Sequence, residues 1–213
     1  VKSAPGFLVN RILTPYLLEA ADLLDEGVPG NRIDQAAKQF GMPMGPIEMA
    51  DVVGLDVCLA VAEHLSSHYN WSVPAILRAR VAAGKLGRKT GEGFYKYEHG
   101  KKRDLSEKKP ADEKFTENAI IDRMIMRLLN DSCACLREKI VVDSDLVDAG
   151  MIYGAGFAPF RGGPLHYAEK LGIEIVVQKL KALQEQYGDR FKPDEGWQNL
   201  ESALQSIQQS KQE

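Results

Sequence analysis

The sequence has few of the features that mark secreted or membrane proteins. It contains only three cysteines, Cys58, Cys133 and Cys135, and this small, odd number does not fit a disulfide-stabilised scaffold. No apolar run is long enough for a membrane span, the first residues contain no signal-peptide core, and the last three do not form a peroxisomal address. We therefore predict a globular protein with free, buried thiols in the cytoplasm of a bacterium, or alternatively in a mitochondrial matrix.

Several chemical signatures are also missing. The formal net charge of -3 lacks the basic surplus of a general nucleic-acid binder, so nucleic acid is not a predicted partner. There is no GxGxxG dinucleotide fingerprint, no P-loop and no set of residues resembling a Ser-His-Asp triad. His64 and His68 are four residues apart on one predicted helix face, but no third ligand lies near them in sequence, so no metal site is predicted.

The sequence does contain strong helical periodicity. Glycine and proline separate the periodic segments, which predicts an all-α fold with helices at residues 7–24, 32–39, 47–53, 56–68, 73–83 and 116–138. Residues 87–97 are too rich in glycine for a helix and end in an aromatic alternation, which predicts a small hairpin. In the first helix the apolar stripe that we expect to face the core consists of Val9, Leu13, Leu17, Ala20 and Leu24.

The second half of the chain repeats features of the first half. The tripeptide at 9–11 corresponds to the one at 121–123, and the Gly-Pro pair at 45–46 corresponds to the one at 163–164. The second correspondence has a slightly larger offset than the first, which places extra residues around 154–162. We predict two related helical domains, at 1–98 and 116–213, joined by a charged linker at 99–115, each covering apolar surface that the other cannot bury alone.

Three residues are candidates for a functional site. Asn10 shares the predicted stripe of the first helix, so its amide is expected to face inward or into a cleft, either as a substrate-orienting group or as a core asparagine bonded to backbone. Lys89 projects from the Gly-rich turn, where it either meets a phosphate or ribose or is a solvated loop tip. Tyr153 opens a Gly-rich irregular segment, and its polar tip suits either a ligand or packing against the first repeat.

Longer motifs in the chain resemble a known family. They are PGFLVNR at residues 5–11, MGP at 44–46 with DVVGLD at 51–56, and GRKTGEGFY at 87–95. In order and spacing they are similar to the 3-hydroxyacyl-CoA dehydrogenase C-terminal domain, a helical fold like the C-terminal domain of 6-phosphogluconate dehydrogenase. The segment YGAGFAPF at 153–160 with Gly-Gly at 162–163 resembles the second helical domain of multifunctional fatty-acid oxidation alpha subunits, which also carry an enoyl-CoA hydratase/isomerase region.

The resemblance implies a function for the protein and a role for each candidate residue. Such enzymes of fatty-acid beta-oxidation convert an L-3-hydroxyacyl-CoA to a 3-ketoacyl-CoA with NAD, which is bound mainly by a Rossmann domain that also carries a His–Glu base. By this resemblance Asn10 is expected to be catalytic and substrate-binding, Tyr153 to contact substrate, and Lys89 to reach NAD. The second helical copy is expected to take the place that a dimer partner occupies in single-function relatives.

The chain also departs from the complete family pattern. It contains neither the Rossmann domain nor the hydratase region, so we expect it to be inactive alone, and Ala158 stands where relatives often have proline. Two alternative hypotheses remain. The helices could belong to another hydroxyacid dehydrogenase, or they could serve mainly as a docking module for a thiolase subunit.

Overall fold

The computed structural model describes residues 2–103 and 115–200, and the regular structure in this part of the chain is helical apart from one two-stranded hairpin. The predicted all-α fold is confirmed, and the predicted helix ends lie close to the observed ones. Two helices begin with a proline, Pro46 and Pro164, directly after Gly45 and Gly163. Proline suits this position because it lacks the N–H that the first turn of a helix leaves unpaired. The α-helices are α1 (Val9–Asp25), α2 (Gly30–Phe40), α3 (Pro46–Val53), α4 (Leu55–Tyr69), α5 (Ala75–Ala82), α6 (Glu117–Arg137), α7 (Ser144–Ala155), α8 (Pro164–Leu171) and α9 (Ile173–Tyr187).

The hairpin lies slightly further along the chain than the pattern indicated. Strand β1 (Lys96–Glu98) pairs antiparallel with β2 (Lys101–Arg103), and Glu92 forms bridges with Gly87 and Lys96 in the preceding loop. Strand β2 therefore falls within the segment predicted as a linker. The rest of that linker up to 114, and residues 201–213 of the predicted second domain, lie outside the described residues, so the predicted domain boundaries stay a prediction.

The order of helices repeats along the chain, as the sequence indicated. Helices α8 and α9 have the same lengths as α3 and α4, and each pair is separated by a single residue. That residue is a glycine with nearly the same backbone angles in both copies: φ is 104° and ψ 125° at Gly54, and φ is 98° and ψ 122° at Gly172. Because a positive φ strains residues with a Cβ, both copies need glycine at this corner. The predicted duplication is confirmed.

The chain forms two compact units, and helices α1 and α6 contribute residues to both. The first-copy unit is Leu13–Ile125 and the second-copy unit is Val1–Ile12 with Met126–Glu213. Each has its own apolar core. The first-copy core includes Tyr16, Leu23, Ile33, Ile47, Leu55, Leu65 and Ile120, and the second-copy core includes Leu128, Val147, Met151, Phe157, Leu180, Phe191 and Trp197.

The buried face of α1 differs from the predicted stripe by one position. Leu8, Ile12, Tyr16 and Leu23 are buried, whereas Val9, Leu13, Leu17 and Leu24 are only half-buried and Ala20 alone of the predicted stripe is in the core. Of the two predictions for Asn10, a position facing inward and a position facing a cleft, the first is excluded because Asn10 is exposed. Two neighbouring faces of α1 are both apolar, and helical spacing alone does not decide which of them packs inside.

No helix among the described residues is both long and apolar enough to cross a bilayer.

Candidate functional site

The second-copy unit contains an apolar pocket of about 670 Å³. One wall is the segment that leads into α1, and the other is the exposed side of α7. Both Asn10 and Tyr153, which the sequence singled out for different reasons, line this pocket. The remaining lining residues are Gly6, Phe7, Leu8, Val9, Val141, Leu146, Ala149 and Gly150.

Two glycines of α7 allow the start of α1 to approach closely. A Cβ on Gly150 would lie 2.5 Å from Cδ2 of Leu8, and a Cβ on Gly154 would lie 2.7 Å from Cγ2 of Val9. Glycine inside a helix lowers helix stability by about 1 kcal/mol relative to alanine. In α7 the two glycines make room for the residues at the start of α1 to pack directly against the helix backbone. The two glycines therefore determine how near Asn10 comes to α7.

The rim of the pocket exposes large apolar side chains. Tyr153 is 90% exposed, Phe7 61% and Leu146 47%. Phe7 also has a positive φ of 49°, which is unusual for a residue with a bulky side chain. An exposed apolar surface beside a pocket marks a place where a ligand or another protein surface binds.

Tyr153 lies within a helix, and the prediction that it opens an irregular loop was wrong. Helix α7 continues to Ala155 and ends at Gly156, which has left-handed backbone angles. The segment between α7 and α8 is therefore 156–163, and it contains a short 3-10 turn at Pro159–Arg161. The glycine at 154 made this part of the sequence resemble a loop, although its packing against Val9 accounts for it. The helical position fixes the direction in which Tyr153 leaves the backbone.

Lys89 belongs to the first-copy unit and does not line the pocket. Its ammonium donates hydrogen bonds to both carboxylate oxygens of Asp56, at 2.6 and 2.8 Å, and both side chains are solvent-exposed. The hydrogen bond from Lys89 lowers the pKa of Asp56. Because an ammonium has three hydrogens, these two hydrogen bonds do not use its full donor capacity.

The loop that carries Lys89 is built around the carboxylate of Asp51, which sequence reasoning missed. Asp51 is completely buried, and it accepts hydrogen bonds from the backbone N–H groups of Phe94 and Tyr95, both at 2.8 Å, and from the Tyr97 hydroxyl at 3.1 Å. Burial raises the pKa of Asp51, and these three donors act in the opposite direction. An aspartate followed by a Gly-rich aromatic segment is a weak signal, since the two are far apart along the chain.

Two further carboxylates that sequence reasoning missed cap corresponding helices in the two copies. Asp34 accepts the backbone N–H of Ile47 at 2.8 Å, at the start of α3, and Asp148 accepts that of Leu165 at 2.7 Å, at the start of α8. Burial raises the pKa of Asp148 to about 6, against the opposing effect of its two backbone donors. In both copies the nearest acidic residue upstream of the Gly-Pro pair is the one that caps the helix, and this repeated order is the sequence signal that could have indicated the caps.

The three cysteines are free, as predicted. Cys133 and Cys135 are buried, whereas Cys58 is half-buried. Burial raises the pKa of the Cys58 thiol to about 11 and that of the Cys135 thiol to about 12. Thiols with such pKa values remain protonated at neutral pH and are poor nucleophiles.

Comparison with known proteins identifies the family. The model of the 3-hydroxyacyl-CoA dehydrogenase C-terminal domain matches residues 6–97 and matches again at residues 120–212. The chain belongs to the 3-hydroxyacyl-CoA dehydrogenase C-terminal domain family. The predicted family is thereby confirmed, and the double match agrees with the repeated order of helices.

Similar proteins in bacteria are much longer than this chain. The chain is 39% identical over 207 residues to the fatty acid oxidation complex subunit alpha of Shewanella sp. (strain MR-7), covering 91% of this chain but 29% of that protein. It is 37% identical over 204 residues to the protein of the same name in Vibrio vulnificus, covering 92% of this chain and again 29% of the relative. The chain therefore spans less than a third of the length of these relatives.

Solved structures support the same fold. The chain matches 3-hydroxybutyryl-CoA dehydrogenase from Escherichia coli K12 with a TM-score of 0.79 and 19% identity, covering 96% of this chain and 61% of that one. It also matches the dehydrogenase part of multifunctional enzyme 1 from C. elegans with a TM-score of 0.69 and 22% identity, over 93% of this chain and 48% of that one. At these identities the likeness concerns the fold alone.

Proposed function

We propose that the chain is the C-terminal helical part of an NAD-dependent L-3-hydroxyacyl-CoA dehydrogenase of fatty-acid beta-oxidation. Its helices hold the acyl-CoA and close the active site against a Rossmann domain of the same parent protein. The observation that carries this proposal is the exposed amide of Asn10 at an apolar pocket of about 670 Å³. The family to which the chain belongs, and the names of the bacterial relatives, support the choice of reaction.

The pocket suits the chemistry of an acyl thioester. Its apolar walls accept a hydrocarbon or thioester segment without burying unpaired polar groups, and the asparagine amide offers both a donor and an acceptor to the reacting oxygen. Asn10 would orient the 3-hydroxyl or 3-keto group toward a base that the Rossmann domain supplies. Tyr153, with its ring on the rim, would cover the substrate on the side of α7.

Lys89 is proposed to make one contact with NAD. It is exposed, it carries an ammonium hydrogen beyond the two that Asp56 accepts, and it lies on a loop held by several hydrogen bonds, so it fits a contact with a phosphate or ribose oxygen. The bound NAD would accept the hydride from the substrate. In this chain Lys89 would hold one end of NAD, whereas most contacts to it would come from the Rossmann domain.

The names of the relatives also bear on partners and location. They are alpha subunits of a complex, and this supports the second hypothesis, that part of the helical surface docks a thiolase subunit. Their bacterial origin supports a bacterial cytoplasm as the place of the reaction. Both hypotheses are compatible with a dehydrogenase function, because the pocket and a docking surface can occupy different faces.

Replacement of Asn10 in the full-length parent protein tests the proposal. We expect Asn10→Ala to lower kcat for NAD-dependent oxidation of 3-hydroxybutyryl-CoA by about 100-fold, as for other preorganised hydrogen-bond donors, with an unchanged melting temperature. Asn118→Ala is the matched control, because Asn118 is an exposed asparagine in the first turn of α6, outside the pocket. An unchanged kcat/KM in Asn10→Ala would remove Asn10 from the mechanism.

Loss of activity on CoA substrates would point to the other hypotheses. If the full-length protein oxidised a free hydroxyacid but not its CoA thioester, the helices would belong to a different hydroxyacid dehydrogenase. If the protein bound thiolase while Asn10→Ala and Lys89→Ala retained normal kinetics, the docking function would be favoured instead.

A further inference from the structure

The loop that carries Lys89 closes around one buried carboxylate. Asp51 uses both of its oxygens on the backbone of this loop: Oδ1 accepts the N–H of Phe94 and Oδ2 accepts the N–H of Tyr95. The hydroxyl of Tyr97, in β1, also donates to Oδ2. The end of the loop is thus attached to α3 by three donors that converge on a single side chain.

Two glycines of the loop lie directly against Asp51. A Cβ on Gly93 would be 2.1 Å from Oδ1 of Asp51, and a Cβ on Gly87 would be 2.3 Å from its backbone oxygen. Gly87 also has a positive φ of 99°. Asp51 therefore fills the inside of the loop with its side chain and its main chain, and neither glycine position has room for a larger residue.

Lys89 lies between these two glycines, in a short 3-10 turn that further hydrogen bonds hold in place. The Thr90 hydroxyl donates at 2.9 Å to the carbonyl of Glu92 and accepts the N–H of Leu86, also at 2.9 Å. The carbonyl of Leu86 accepts the N–H of Leu55 at 3.1 Å, where α4 begins. The direction of Lys89 consequently depends on the loop, and the loop depends on Asp51.

The second copy lacks this arrangement at the corresponding position. Glu169, the counterpart of Asp51 in α8, is half-buried where Asp51 is completely buried. After α9 the chain continues into the turn at Asp189–Phe191 rather than into a Gly-rich loop with a lysine. The copy that has the lysine loop therefore has a completely buried carboxylate at this helix position. The second copy has the same glycine corner, at Gly172, but neither the lysine loop nor a completely buried carboxylate.

We propose that Asp51 is a positioning residue for the cofactor and acts through Lys89. It holds the loop in the one conformation that directs the Lys89 ammonium to an oxygen of NAD. The inference rests on the proposed contact between Lys89 and NAD. The inference does not involve the pocket lined by Asn10 and Tyr153, which belongs to the second-copy unit.

The test is a double-mutant cycle in the full-length parent protein. For each variant, Kd for NADH is measured by fluorescence titration, beside KM for NAD, KM for 3-hydroxybutyryl-CoA and kcat. Lys89→Ala is expected to raise both Kd for NADH and KM for NAD about tenfold, the effect of losing one hydrogen bond to a charged group. Asp51→Asn is expected to raise both to a similar extent, because an amide has one acceptor oxygen where the loop needs two. The double variant should be no worse than either single variant, because both changes remove the same contact.

A matched control separates positioning from stability. Asp148→Asn changes a buried carboxylate that also accepts two backbone N–H groups, from Leu165 and His166, but it does not contact the lysine loop. It should lower the melting temperature and leave KM for NAD unchanged. If Asp51→Asn does not fold, Gly93→Ala replaces it, because the added methyl group displaces the loop from a carboxylate that remains charged.

The possible outcomes distinguish this inference from the proposed function. A folded Asp51→Asn or Gly93→Ala variant with an unchanged KM for NAD would overturn the positioning role, and so would effects of Asp51→Asn and Lys89→Ala that multiply in the double variant. If Lys89→Ala itself leaves KM for NAD unchanged, the proposed cofactor contact fails. Elevation of KM for NAD alone, shared by both single variants and not increased in the double, supports the inference.

Discussion

The guanidinium of Arg123 donates from both Nε and Nη2 to a single carboxylate oxygen of Glu19, and both side chains are almost completely buried. Arg11 is the counterpart of Arg123 in the first copy, and it forms an ion pair with Asp131, the counterpart of Glu19 in the second copy. Each of these ion pairs therefore joins α1 to α6 within one of the two compact units.

The two ion pairs are expected to differ in their contribution to stability. Arg123→Leu removes the cation that pairs with the buried Glu19 carboxylate and should reduce the free energy of unfolding by about 3–5 kcal/mol, the usual effect of breaking a buried pair. Arg11→Leu should reduce it less, because Arg127 remains 3.4 Å from Asp131. Urea unfolding of both variants measures the difference.

A compensating variant checks the cause of that loss. Arg123 also pairs with Glu26, whose side chain is 32% exposed. Glu19→Leu combined with Arg123→Leu removes the buried carboxylate together with its cation and leaves only this partly solvated carboxylate, so most of the stability should return. If Arg11→Leu and Arg123→Leu lost the same free energy of unfolding, or if the double variant recovered none, the buried ion pair would not be the cause of the loss in Arg123→Leu.

The glycines of α7 should determine the shape of the pocket. Gly154→Ala places a methyl group 2.7 Å from Cγ2 of Val9, so the first turn of α1 must move and carry Asn10 with it. We expect kcat/KM for 3-hydroxybutyryl-CoA in the full-length protein to fall by roughly 100-fold, since small displacements of a positioning group have effects of that size. Steady-state kinetics measures the change.

A second substitution can restore the space. Val9→Ala removes the methyl groups that the new side chain meets, so Val9→Ala with Gly154→Ala should recover most of the activity. KM for NAD should remain unchanged in both variants. A fully active Gly154→Ala protein would mean that the approach of α1 to α7 does not set the position of Asn10.

The helix cap at Asp148 should make stability depend on pH. Burial raises its pKa from an ordinary 3.8 to about 6, so the folded protein binds this proton more tightly than the unfolded chain does. Stability from this residue is therefore greatest below pH 4 and decreases as the pH rises through 6, by roughly 3 kcal/mol at about 1.4 kcal/mol per pKa unit. Urea unfolding of the wild type and Asp148→Asn between pH 4.5 and 7 isolates the effect.

The prediction concerns the difference in stability between the wild type and Asp148→Asn, because all other titrating groups are common to both proteins. The stability of the wild type relative to Asp148→Asn should fall as the pH rises across this range. A difference that stays constant would mean that the pKa of Asp148 is the same in the folded and unfolded states.

Local patterns predicted the helices well, because glycine or proline lies at most of the helix ends. The corner at Gly54 and its copy at Gly172 need a positive φ, and the sequence shows this requirement directly. The same logic failed at Gly154, which the pattern placed in a loop although it lies in α7 and packs against Val9. A glycine indicates that space or an unusual backbone is needed, and only the tertiary structure decides which.

The candidate site was predicted less completely than the fold. Asn10 and Tyr153 line one pocket, and their roles toward a substrate stay a prediction. The apolar stripe left open whether Asn10 faces the core or a cleft. Asp51 could not be found from local sequence, because its hydrogen-bond partners, Phe94, Tyr95 and Tyr97, lie several elements further along the chain. Burial of an acidic residue depends on such distant donors, and helical periodicity carries no information about them.

The most direct test of the central claim is NAD-dependent oxidation of 3-hydroxybutyryl-CoA, measured for this 213-residue chain alone and for the full-length parent protein. The account predicts activity in the full-length protein and none in the chain alone, because the base and most of the NAD contacts are proposed to lie in the Rossmann domain. Turnover by the chain alone, or no turnover by the full-length protein, would contradict it.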